Sequence, residues 1–404
     1  MKPLFVSREF LVDKSPTGEC LRSFVNELRK NAWNPKVYCS DIQPQKNNRV
    51  LINEKIVHES IFPKYLAAAI RRLLIPDLTW LPGYEWWSWG KRCKNQILQD
   101  IRNGERFDYL HTVSFPCACH TVGLKIKCET NLPWIAQFYD PWADNPYRPF
   151  KTAFFKKIDW ELEREVAENA DLIIHTNEPI AQLWRERYGD SIAKKIVVLP
   201  LTASLPSVPV VEPKHKDDEL LTISHIGNFM LNRTSIPFIK AVLMLFKEYP
   251  YVKTKLKINY IGQVTDKEKE LIRNYGLADN FNLTGPIPPE ECEPFYQQTD
   301  VFLAIDGVNK NNIFFPSKIL KYFYYQKPIL GITPTGSVLD EELRTAGHAV
   351  FNNEDVNSIK EYLYKLVTDY SSIAYDRDYW KRFTPITVVN EYYSLVNNKL
   401  FKSK

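Results

Sequence analysis

Two stretches in the second half of the chain combine cationic side chains with backbone that could bind phosphate. Gly227 and Asn228 follow an apolar run, and the chain then passes Arg233 into a segment with helical periodicity. Backbone N–H groups, the positive end of a helix and a guanidinium would converge there, which suits a diphosphate. Further on, Ser317 fits a helix N-cap and Lys318 the first turn, where the helix dipole disfavours a cation, so an anionic ligand is indicated. Taken singly, Arg233 also fits a solvated surface cation and Ser317 a simple cap.

Other polar and glycine residues stand close behind predicted strands. In open parallel α/β sheets, ligands bind beyond the carboxyl ends of the strands, so residues at those positions are candidates for a site. The first half supplies Gly18, His120 and Asp140, and the second half supplies Gly227, Asn228, Gly262, Gln263, Gly285 and Asp306. The sequence therefore predicts one ligand-binding edge in each half, suited to a shared cleft.

Short apolar runs alternate with segments of helical periodicity along the whole chain, a pattern typical of parallel sheets built from strand-helix-strand units. Strands are predicted over 3–6, 36–39, 109–113, 134–138, 172–175 and 196–199, and then over 221–225, 257–261, 281–283, 301–305, 328–332 and 349–351. Helices are predicted over 20–31, 154–169, 235–249, 266–275, 317–325 and 356–370. The proline-rich and charged residues 203–219 have the composition of a linker. The predicted fold class is therefore α/β, with two Rossmann-like domains over 1–202 and 220–379.

Composition narrows the functional classes. The 404 residues include 53 Lys and Arg and 48 Asp and Glu, and the net charge of +5 is too small to indicate a nucleic-acid binder. The seven cysteines are scattered and odd in number, which favours reduced thiols in a cytoplasm over a disulfide framework. No run approaches the roughly 18 apolar residues of a membrane span, and the first residues do not form a signal peptide. We therefore expect a cytoplasmic protein without nucleic-acid partners.

Several short motifs occur in a fixed order along the chain. The second half contains HIGNF at 225–229, NRT at 232–234, YIG at 260–262, LTGPIPPEE at 283–291, TDVFL at 299–303 and FPSKILKY at 315–322. The first half contains IPD at 75–77, WLP at 80–82, SFP at 114–116 leading to His120, and PWIAQFYDPW at 133–142. This ordered set resembles family four glycosyltransferases with the GT-B fold, and the resemblance covers nearly the whole chain.

The resemblance implies transfer of a sugar from a nucleotide diphosphate, a UDP- or GDP-sugar, to a glycan or lipid-linked acceptor in surface polysaccharide assembly. It further implies retention at the anomeric carbon, no protein-held metal, no other cofactor, and a last helix, 380–404, that packs back on the first domain. Asp140 would bind or deprotonate the acceptor hydroxyl, and His120 would bind a sugar hydroxyl or stabilise charge. The diphosphate would contact Gly18, Gly227, Asn228, Arg233, Ser317 and Lys318. The base and ribose would contact Gly262, Gln263, Gly285, Pro286, Ile287 and Lys321.

The last motif departs from the family pattern at two positions. Family members carry two acidic residues eight apart there, the second of which binds the ribose, and the corresponding residues here are Ile313 and Lys321. Either other groups hold the ribose, the donor nucleotide differs, or the site is weakened. The rival hypothesis is a catalytically silent nucleotide-sugar-binding partner protein, against which the retained cations and the retained Asp140 and His120 argue.

Three further patterns have plainer explanations. The cysteines and His120 within 117–128 lack the second ligand pair of a structural zinc site. The Asp-Arg-Asp sequence at 376–378 has the spacing used by metal-dependent sugar transferases, but it follows no strand and is attributed to chance. His175 and His225 lie near strand ends and could be hydrogen-bonded core histidines, which we favour for His175. A dinucleotide-dependent oxidoreductase is disfavoured because no Gly-x-Gly-x-x-Gly loop follows the first strand.

Residues 64–94 combine basic side chains with Trp80, Trp86, Trp87 and Trp89. This composition suits a peripheral membrane contact, and it equally suits a packed helical insert with a tryptophan-rich core. Under the first interpretation the acceptor is lipid-linked, and the protein works at the inner face of the cytoplasmic membrane.

Overall fold

A computed structural model describes residues 1–12, 15–40, 53–58, 89–114, 117–143, 145, 153–203, 205, 219–229, 233–288, 291–307 and 313–401. The chain divides into two compact units, one formed by Met1–Ser204 with Arg382–Lys404 and the other by Leu205–Lys381. Each unit is built around one parallel sheet, so the α/β fold class is confirmed. Most of the predicted membrane-contact segment (64–88) and most of the predicted linker (206–218) lie outside the described residues.

The first unit contains a 7-stranded parallel sheet. Its spatial order is β3-β2-β1-β4-β5-β6-β7. The order reverses between β1 and β4, and the carboxyl ends of such a pair are where doubly wound sheets bind ligands. The strands are β1 (Leu4–Val6), β2 (Lys36–Ser40), β3 (Glu54–Val57), β4 (Leu110–Val113), β5 (Trp134–Phe138), β6 (Leu172–His175) and β7 (Ile196–Val198).

The edge strand β3 is the one strand of this sheet that the sequence pattern does not predict. It pairs with β2, and Val57 is the one fully buried residue among its four. Glu54 and Lys55 make up half of the strand, so the apolar run that identifies a buried parallel strand is absent. The other strands of this unit were all predicted, and their bounds are confirmed to within a residue or so at each end.

Helices cover the first sheet. The longer ones are α1 (Pro16–Lys30), α2 (Lys91–Arg102), α3 (Ala118–Thr130), α4 (Ala153–Asn169) and α5 (Glu178–Tyr188), and a short α6 (Asp190–Ala193) follows. α1 begins earlier than predicted because Ser15 is its N-cap, with the Gly18 N–H donating to the Ser15 hydroxyl at 3.1 Å. Pro16 at the first helical position fits the same start.

The second unit contains a 6-stranded parallel sheet in the order β10-β9-β8-β11-β12-β13. Here the order reverses between β8 and β11, so the carboxyl ends of these two strands form the second predicted binding edge. The strands are β8 (Leu221–Ile226), β9 (Leu256–Ile261), β10 (Phe281–Gly285), β11 (Val301–Ile305), β12 (Ile329–Ile332) and β13 (Ala349–Phe351).

The helices of the second unit follow its strands in sequence. They are α7 (Ile236–Glu248), α8 (Asp266–Asn274), α9 (Glu293–Gln298), α10 (Ile319–Tyr324), α11 (Val338–Thr345) and α12 (Val356–Thr368). α7 and α12 bury their apolar faces in the same core as β8, β9 and β11, which makes that sheet a rigid base for its loops. Among the described residues, no helix combines the length and the apolar character that a membrane crossing requires.

The C-terminal helix α13 (Pro385–Leu395) belongs to the first unit, where it packs on α1. Its Tyr392 hydroxyl lies 2.7 Å from His111 Nδ1 and 2.9 Å from the Tyr109 hydroxyl. His111 Nε2 lies 3.0 Å from Gln137 Oε1, so the ring proton is on Nε2 and Nδ1 accepts from Tyr392. A buried chain of hydrogen bonds thus joins the end of the protein to the middle of its first sheet.

Replacing Tyr392 by phenylalanine is expected to lower the free energy of unfolding by about 1–3 kcal/mol, because the Tyr109 hydroxyl and His111 Nδ1 lose their common partner inside the core. The melting temperature and a urea titration measure the loss. Tyr393→Phe is the matched control, since the adjacent Tyr393 hydroxyl has no hydrogen-bond partner among the described residues. Equal stability of the two variants would contradict this account of how the C-terminal helix is held.

Candidate functional site

Two cations lie at the carboxyl edge of the second sheet. Arg233 forms an isolated bridge with Gly307, which follows β11, and its Nε lies 3.7 Å from Asp306 Oδ1. Asp306 is almost fully buried and also accepts the Gly307 N–H at 2.8 Å. These contacts bring Arg233 to the place where the strand order reverses, at the carboxyl ends of the strands.

Lys318 reaches the same edge from the segment that precedes α10. Its Nζ lies 3.2 Å from His225 Nε2. His225 Nδ1 lies 2.9 Å from the Leu303 carbonyl, which can only accept, so Nδ1 carries the ring proton and Nε2 accepts from the ammonium. Burial, together with the neighbouring Arg233, lowers the pKa of Lys318 to about 7. Burial and the charge of Lys318 hold the pKa of His225 well below its usual value, so this histidine is neutral.

Gly227 makes room for this lysine. A Cβ at Gly227 would lie 3.1 Å from Lys318 Nζ, and the backbone φ of 139° is one that residues with a Cβ rarely adopt. Two structural features of this fold therefore require a glycine at position 227 of the predicted phosphate loop. The first of these concerns the space beside the ammonium, and the second concerns the backbone.

The ends of three neighbouring strands, β8, β9 and β10, lie beside these cations. The Gly262 N–H donates to the Gly285 carbonyl at 3.1 Å, and a Cβ at Gly262 would come within 2.6 Å of the Gly227 carbonyl oxygen. The Asn228 side chain accepts the Gln263 N–H at 2.7 Å. The polar groups that the sequence predicts for the diphosphate and base thus also hold one loop against the next. Pro286 and Ile287 continue from Gly285, the first exposed and the second half-buried.

The start of α7 is occupied by a carboxylate that the sequence analysis did not single out. Glu268, almost fully buried, accepts the Ser235 N–H at 2.5 Å and the Ser235 hydroxyl at 3.0 Å. Its other oxygen accepts the Thr265 hydroxyl at 2.8 Å, within a capping box at the start of α8. The Thr-x-x-Glu spacing was the available signal. A carboxylate therefore already lies at this helix end, where the sequence predicts that helix N–H groups contact a phosphate.

Two predicted residues of the last motif differ in detail from expectation. Ser317 is exposed and is not the N-cap, because α10 begins at Ile319 with Lys318 itself at the cap position. Lys321 Nζ lies 5.4 Å from the centre of the Tyr296 ring, a cation–π contact. Tyr322, one helical turn after Lys318, accepts the Ile226 N–H at 2.9 Å and ties α10 to the end of β8.

In the first unit, His120 is buried at the start of α3. Its Nδ1 lies 2.8 Å from the Thr112 hydroxyl, which also accepts the Trp134 indole N–H at 2.9 Å. The ring stacks on Phe138 with centroids 4.0 Å apart, and burial holds its pKa well below the usual value. Its Nε2 has no hydrogen-bond partner among the described residues. The imidazole is therefore neutral, with one committed and one uncommitted nitrogen, and the whole ring is buried.

Asp140 and Gly18 lie near other strand ends of the first sheet. Asp140 follows β5 and is half-buried, and burial raises its pKa to about 6. Such a carboxylate is mostly ionised at neutral pH and is basic enough to take a proton from a hydroxyl in a transition state. Gly18 packs against the Glu9 carbonyl, where a Cβ would collide with backbone. That contact by itself requires a glycine, and its predicted closeness to the sugar and phosphate stays a prediction.

The chain has the fold of solved structures that differ widely from it in sequence. HepE from Anabaena, solved in complex with UDP, is 12% identical, with a TM-score of 0.64 over 98% of this chain and 100% of that one. Sucrose-phosphate synthase from Thermosynechococcus elongatus is 13% identical, with a TM-score of 0.66 over 100% of both chains. The apo form of the lipopolysaccharide outer core galactosyltransferase WaaB is 13% identical, with a TM-score of 0.64 over 99% of this chain and 100% of that one. These likenesses establish the GT-B fold.

The family model described as Glycosyltransferase Family 4 matches residues 18–202. These residues match a glycosyltransferase family 4 domain, and the match covers just under half of the chain. No curated protein matches the chain. The resemblance noted from the motifs is therefore confirmed, and both Asp140 and His120 fall inside the matched region of the family 4 domain.

The family 4 domain also contains a second buried histidine with a different environment. His175 ends β6, and its ring packs against Phe138 and Trp184 with centroids 5.4 and 4.7 Å apart. It is a core residue, as predicted, but neither ring nitrogen has a hydrogen-bond partner among the described residues. Burial lowers its pKa to about 3, so the ring is neutral. His225, by contrast, is hydrogen-bonded on both sides and belongs to the Lys318 contact.

Replacing Thr112 by valine in the family 4 domain is expected to lower the free energy of unfolding by about 1–3 kcal/mol, because the Trp134 N–H loses its acceptor inside the core. We also expect the hydroxyl, which accepts from Trp134, to donate to His120 Nδ1, so that the wild-type ring carries its proton on Nε2. Nitrogen-15 chemical shifts of His120 report this tautomer. Thr112→Ser, which keeps the hydroxyl, should retain the Nε2–H tautomer. A valine variant with an unchanged tautomer would contradict the role given to the Thr112 hydroxyl.

Proposed function

We propose that this protein transfers a sugar from a nucleotide diphosphate to a glycan or lipid-linked acceptor, with retention at the anomeric carbon and without a metal held by the protein. The observation that carries the proposal is the pair Arg233 and Lys318 at the switch point of the second sheet. As the sugar leaves, negative charge grows on the diphosphate, and two preorganised cations stabilise that charge. In this role they do the work that a metal ion does in other sugar transferases.

The donor residues follow from the strand ends of the second unit. The diphosphate would contact Arg233 and Lys318 beside the Gly227-Asn228 turn. The base would contact the backbone around Gly285, Pro286 and Ile287, with Gly262 and Gln263 next to it. UDP is the proposed nucleotide because the HepE structure, which has the same fold, holds UDP. A GDP-sugar is the competing donor in the test below.

The acceptor residues follow from the first unit. Asp140 would accept the proton of the attacking hydroxyl, since burial gives it a pKa of about 6. His120 would bind a sugar hydroxyl or stabilise charge, as the resemblance implies. Gly18, in the first turn of α1, would let the β1–α1 loop pack closely on that turn beside the sugar. Surface polysaccharide assembly is supported by the described function of WaaB, a lipopolysaccharide outer core galactosyltransferase. A location at the inner face of the cytoplasmic membrane, with contact through 64–94, completes the proposal.

The test is a binding panel of UDP-, GDP- and ADP-sugars, measured by calorimetry and by the shift in melting temperature, on the wild type and on Arg233→Ala. Saturable binding of one nucleotide is expected, with stabilisation that rises as RT ln(1 + [L]/Kd). Arg233→Ala should weaken that binding by about 30-fold or more, equivalent to about 2 kcal/mol for a lost charge-assisted contact. The absence of any nucleotide-sugar binding would refute the proposal.

A silent nucleotide-sugar-binding partner remains the second candidate because of Lys321. A cation stands where family members carry the ribose-binding carboxylate, and it contacts Tyr296. The two candidates differ in one result. Donor binding with neither transfer nor donor hydrolysis, in the presence of a panel of glycan and lipid-linked acceptors, would favour the silent protein, and the anomeric configuration of any product decides retention.

A further inference from the structure

The first unit carries a cavity that neither candidate site uses. It has a volume of about 700 Å³, within the range of roughly 300–1,000 Å³ typical of ligand sites, and lies between α4, α5 and the segment that enters β7. Four cations, two aromatic side chains and two carboxylates contribute to its lining: Lys157, Arg164, Arg187, Lys195, Trp160, Tyr188, Glu161 and Glu168. This combination differs from the apolar lining of an ordinary cavity.

One wall of the cavity is preformed. The Arg187 guanidinium lies 4.1 Å from the centre of the Trp160 ring, and its Nη1 donates to Glu163 Oε1 at 2.8 Å. The Tyr188 hydroxyl donates to the same oxygen at 2.6 Å, and the other oxygen accepts the Ala143 N–H at 2.6 Å. Since Glu163 is fully buried, the cation and both aromatic rings are held in one arrangement before any ligand arrives.

A second cation is fixed at the far end. The Lys195 ammonium donates to the Glu168 carbonyl at 2.7 Å. Burial lowers the pKa of Lys195, the Asp171 and Glu168 carboxylates oppose this shift, and the nearby Lys127 adds to it. Because burial disfavours the ammonium, a ligand anion that reaches Lys195 would favour its charged form. Lys195 immediately precedes β7, which puts this end of the cavity at the amino edge of the first sheet, the edge opposite to Asp140.

The other two cations form an exposed rim. Lys157 lies 3.8 Å from Glu161, and Arg164 lies 2.8 Å from Glu168, both pairs being one helical turn apart on α4. More than two thirds of the Arg164 side chain is exposed, and Lys157 is still more open. Exposed pairs of this kind contribute little, so an anionic group of a ligand can take the place of either glutamate.

We propose that this cavity binds an anionic saccharide, a sugar ring that carries a carboxylate or a phosphate. The rim and Lys195 would meet the anionic group, and the surface of Trp160, Arg187 and Tyr188 would meet the ring. A concave site with aromatic walls fits a sugar better than it fits the flat surface of a membrane. The inference rests on the proposed function and deepens it. It makes the acceptor an anionic glycan, whose acidic part binds in this cavity, away from the hydroxyl that reacts.

The experiment measures direct binding to the full chain by calorimetry. The probes are a short oligogalacturonate for the carboxylate, mannose 6-phosphate for the phosphate, and the methyl ester of the oligogalacturonate as the uncharged match. Saturable binding of an anionic probe is expected, with the ester weaker by about tenfold or more. Whichever anionic probe binds more tightly identifies the acidic group.

Arg164→Gln and Lys195→Met should each weaken binding of the better probe by about tenfold or more. Lys30→Gln is the matched control, because Lys30 is an exposed, paired lysine of the same unit outside the cavity. Equal weakening in all three variants, or no saturable binding of either anionic probe, would overturn the proposal. Binding to phosphatidylglycerol vesicles without saccharide binding would also overturn it, in favour of a membrane contact.

Binding of the nucleotide donor is measured in the same samples and separates two kinds of failure. Donor binding without saccharide binding refutes this inference alone, since the donor residues lie in the other unit. Absence of both refutes the proposed function as well. Melting temperatures of the three variants establish that each protein is folded when it is measured.

Discussion

Replacing Lys318 by methionine is expected to weaken binding of the nucleotide-sugar by about 30- to 1,000-fold, equivalent to a loss of about 2–4 kcal/mol for a partly buried charge pair. The ammonium is already directed by His225 and has room because residue 227 is glycine. Methionine keeps the length and apolar character of the stem, so the change removes mainly the charge. Calorimetric titration of the donor on both proteins measures the difference.

The same lysine predicts a pH dependence. Its pKa in the free protein is about 7, because burial and Arg233 disfavour the charged form. A bound diphosphate favours the ammonium and raises this pKa, so binding takes up a proton. Donor affinity should therefore be constant below pH 6, fall as the pH rises through 7, and lose this dependence in Lys318→Met.

Lys365→Met provides the control, since Lys365 is an exposed lysine on α12 of the same unit. It should bind the donor as the wild type does. If Lys318→Met bound the donor within about threefold of the wild type, the lysine would not contact the diphosphate, because even one neutral hydrogen bond contributes about 1 kcal/mol. Arg233 would then be left as the principal cation of the donor site.

The second large effect is expected from Asp140→Asn, which should lower the rate of sugar transfer by about 10²- to 10⁴-fold, the usual contribution of a positioned general base. Donor binding should stay unchanged, because the proposed donor residues lie in the second unit. The rate of the wild type should rise with pH through about 6, the pKa to which burial raises this carboxyl. Steady-state transfer rates across pH, with donor affinity measured in parallel, test both statements.

Asp140→Glu is the conservative comparison, since it keeps a carboxylate near the same place. It should retain part of the rate and the rise with pH, whereas the asparagine variant should have neither. An asparagine variant that transfers sugar within a few-fold of the wild type would assign Asp140 to acceptor binding or to the loop alone. A variant that also loses donor affinity would point to a change in structure.

The sequence determined the sheet architecture because that architecture depends on local patterns. Short apolar runs, helical periodicity and capping residues predict twelve of the strands described here, and the rule that ligands bind beyond parallel strands then selects the loops. Gly227, Gly262 and Gly285 were found in this way, and all three have positive φ. The edge strand β3 was not found, because its charged residues follow no such pattern.

The tertiary structure alone decided which side chains contact one another around the selected loops and elsewhere in the core. Lys318 meets His225 across a separation of 93 residues, and Tyr392 meets His111 across 281. Glu268, which lies on α8, accepts a hydrogen bond from the residue at the start of α7. Such contacts are hydrogen bonds between distant segments, with no period that a sequence could display. The pKa of Lys318 falls toward 7 and the pKa of Asp140 rises to about 6 because both groups are buried. That burial exists only once the chain has folded.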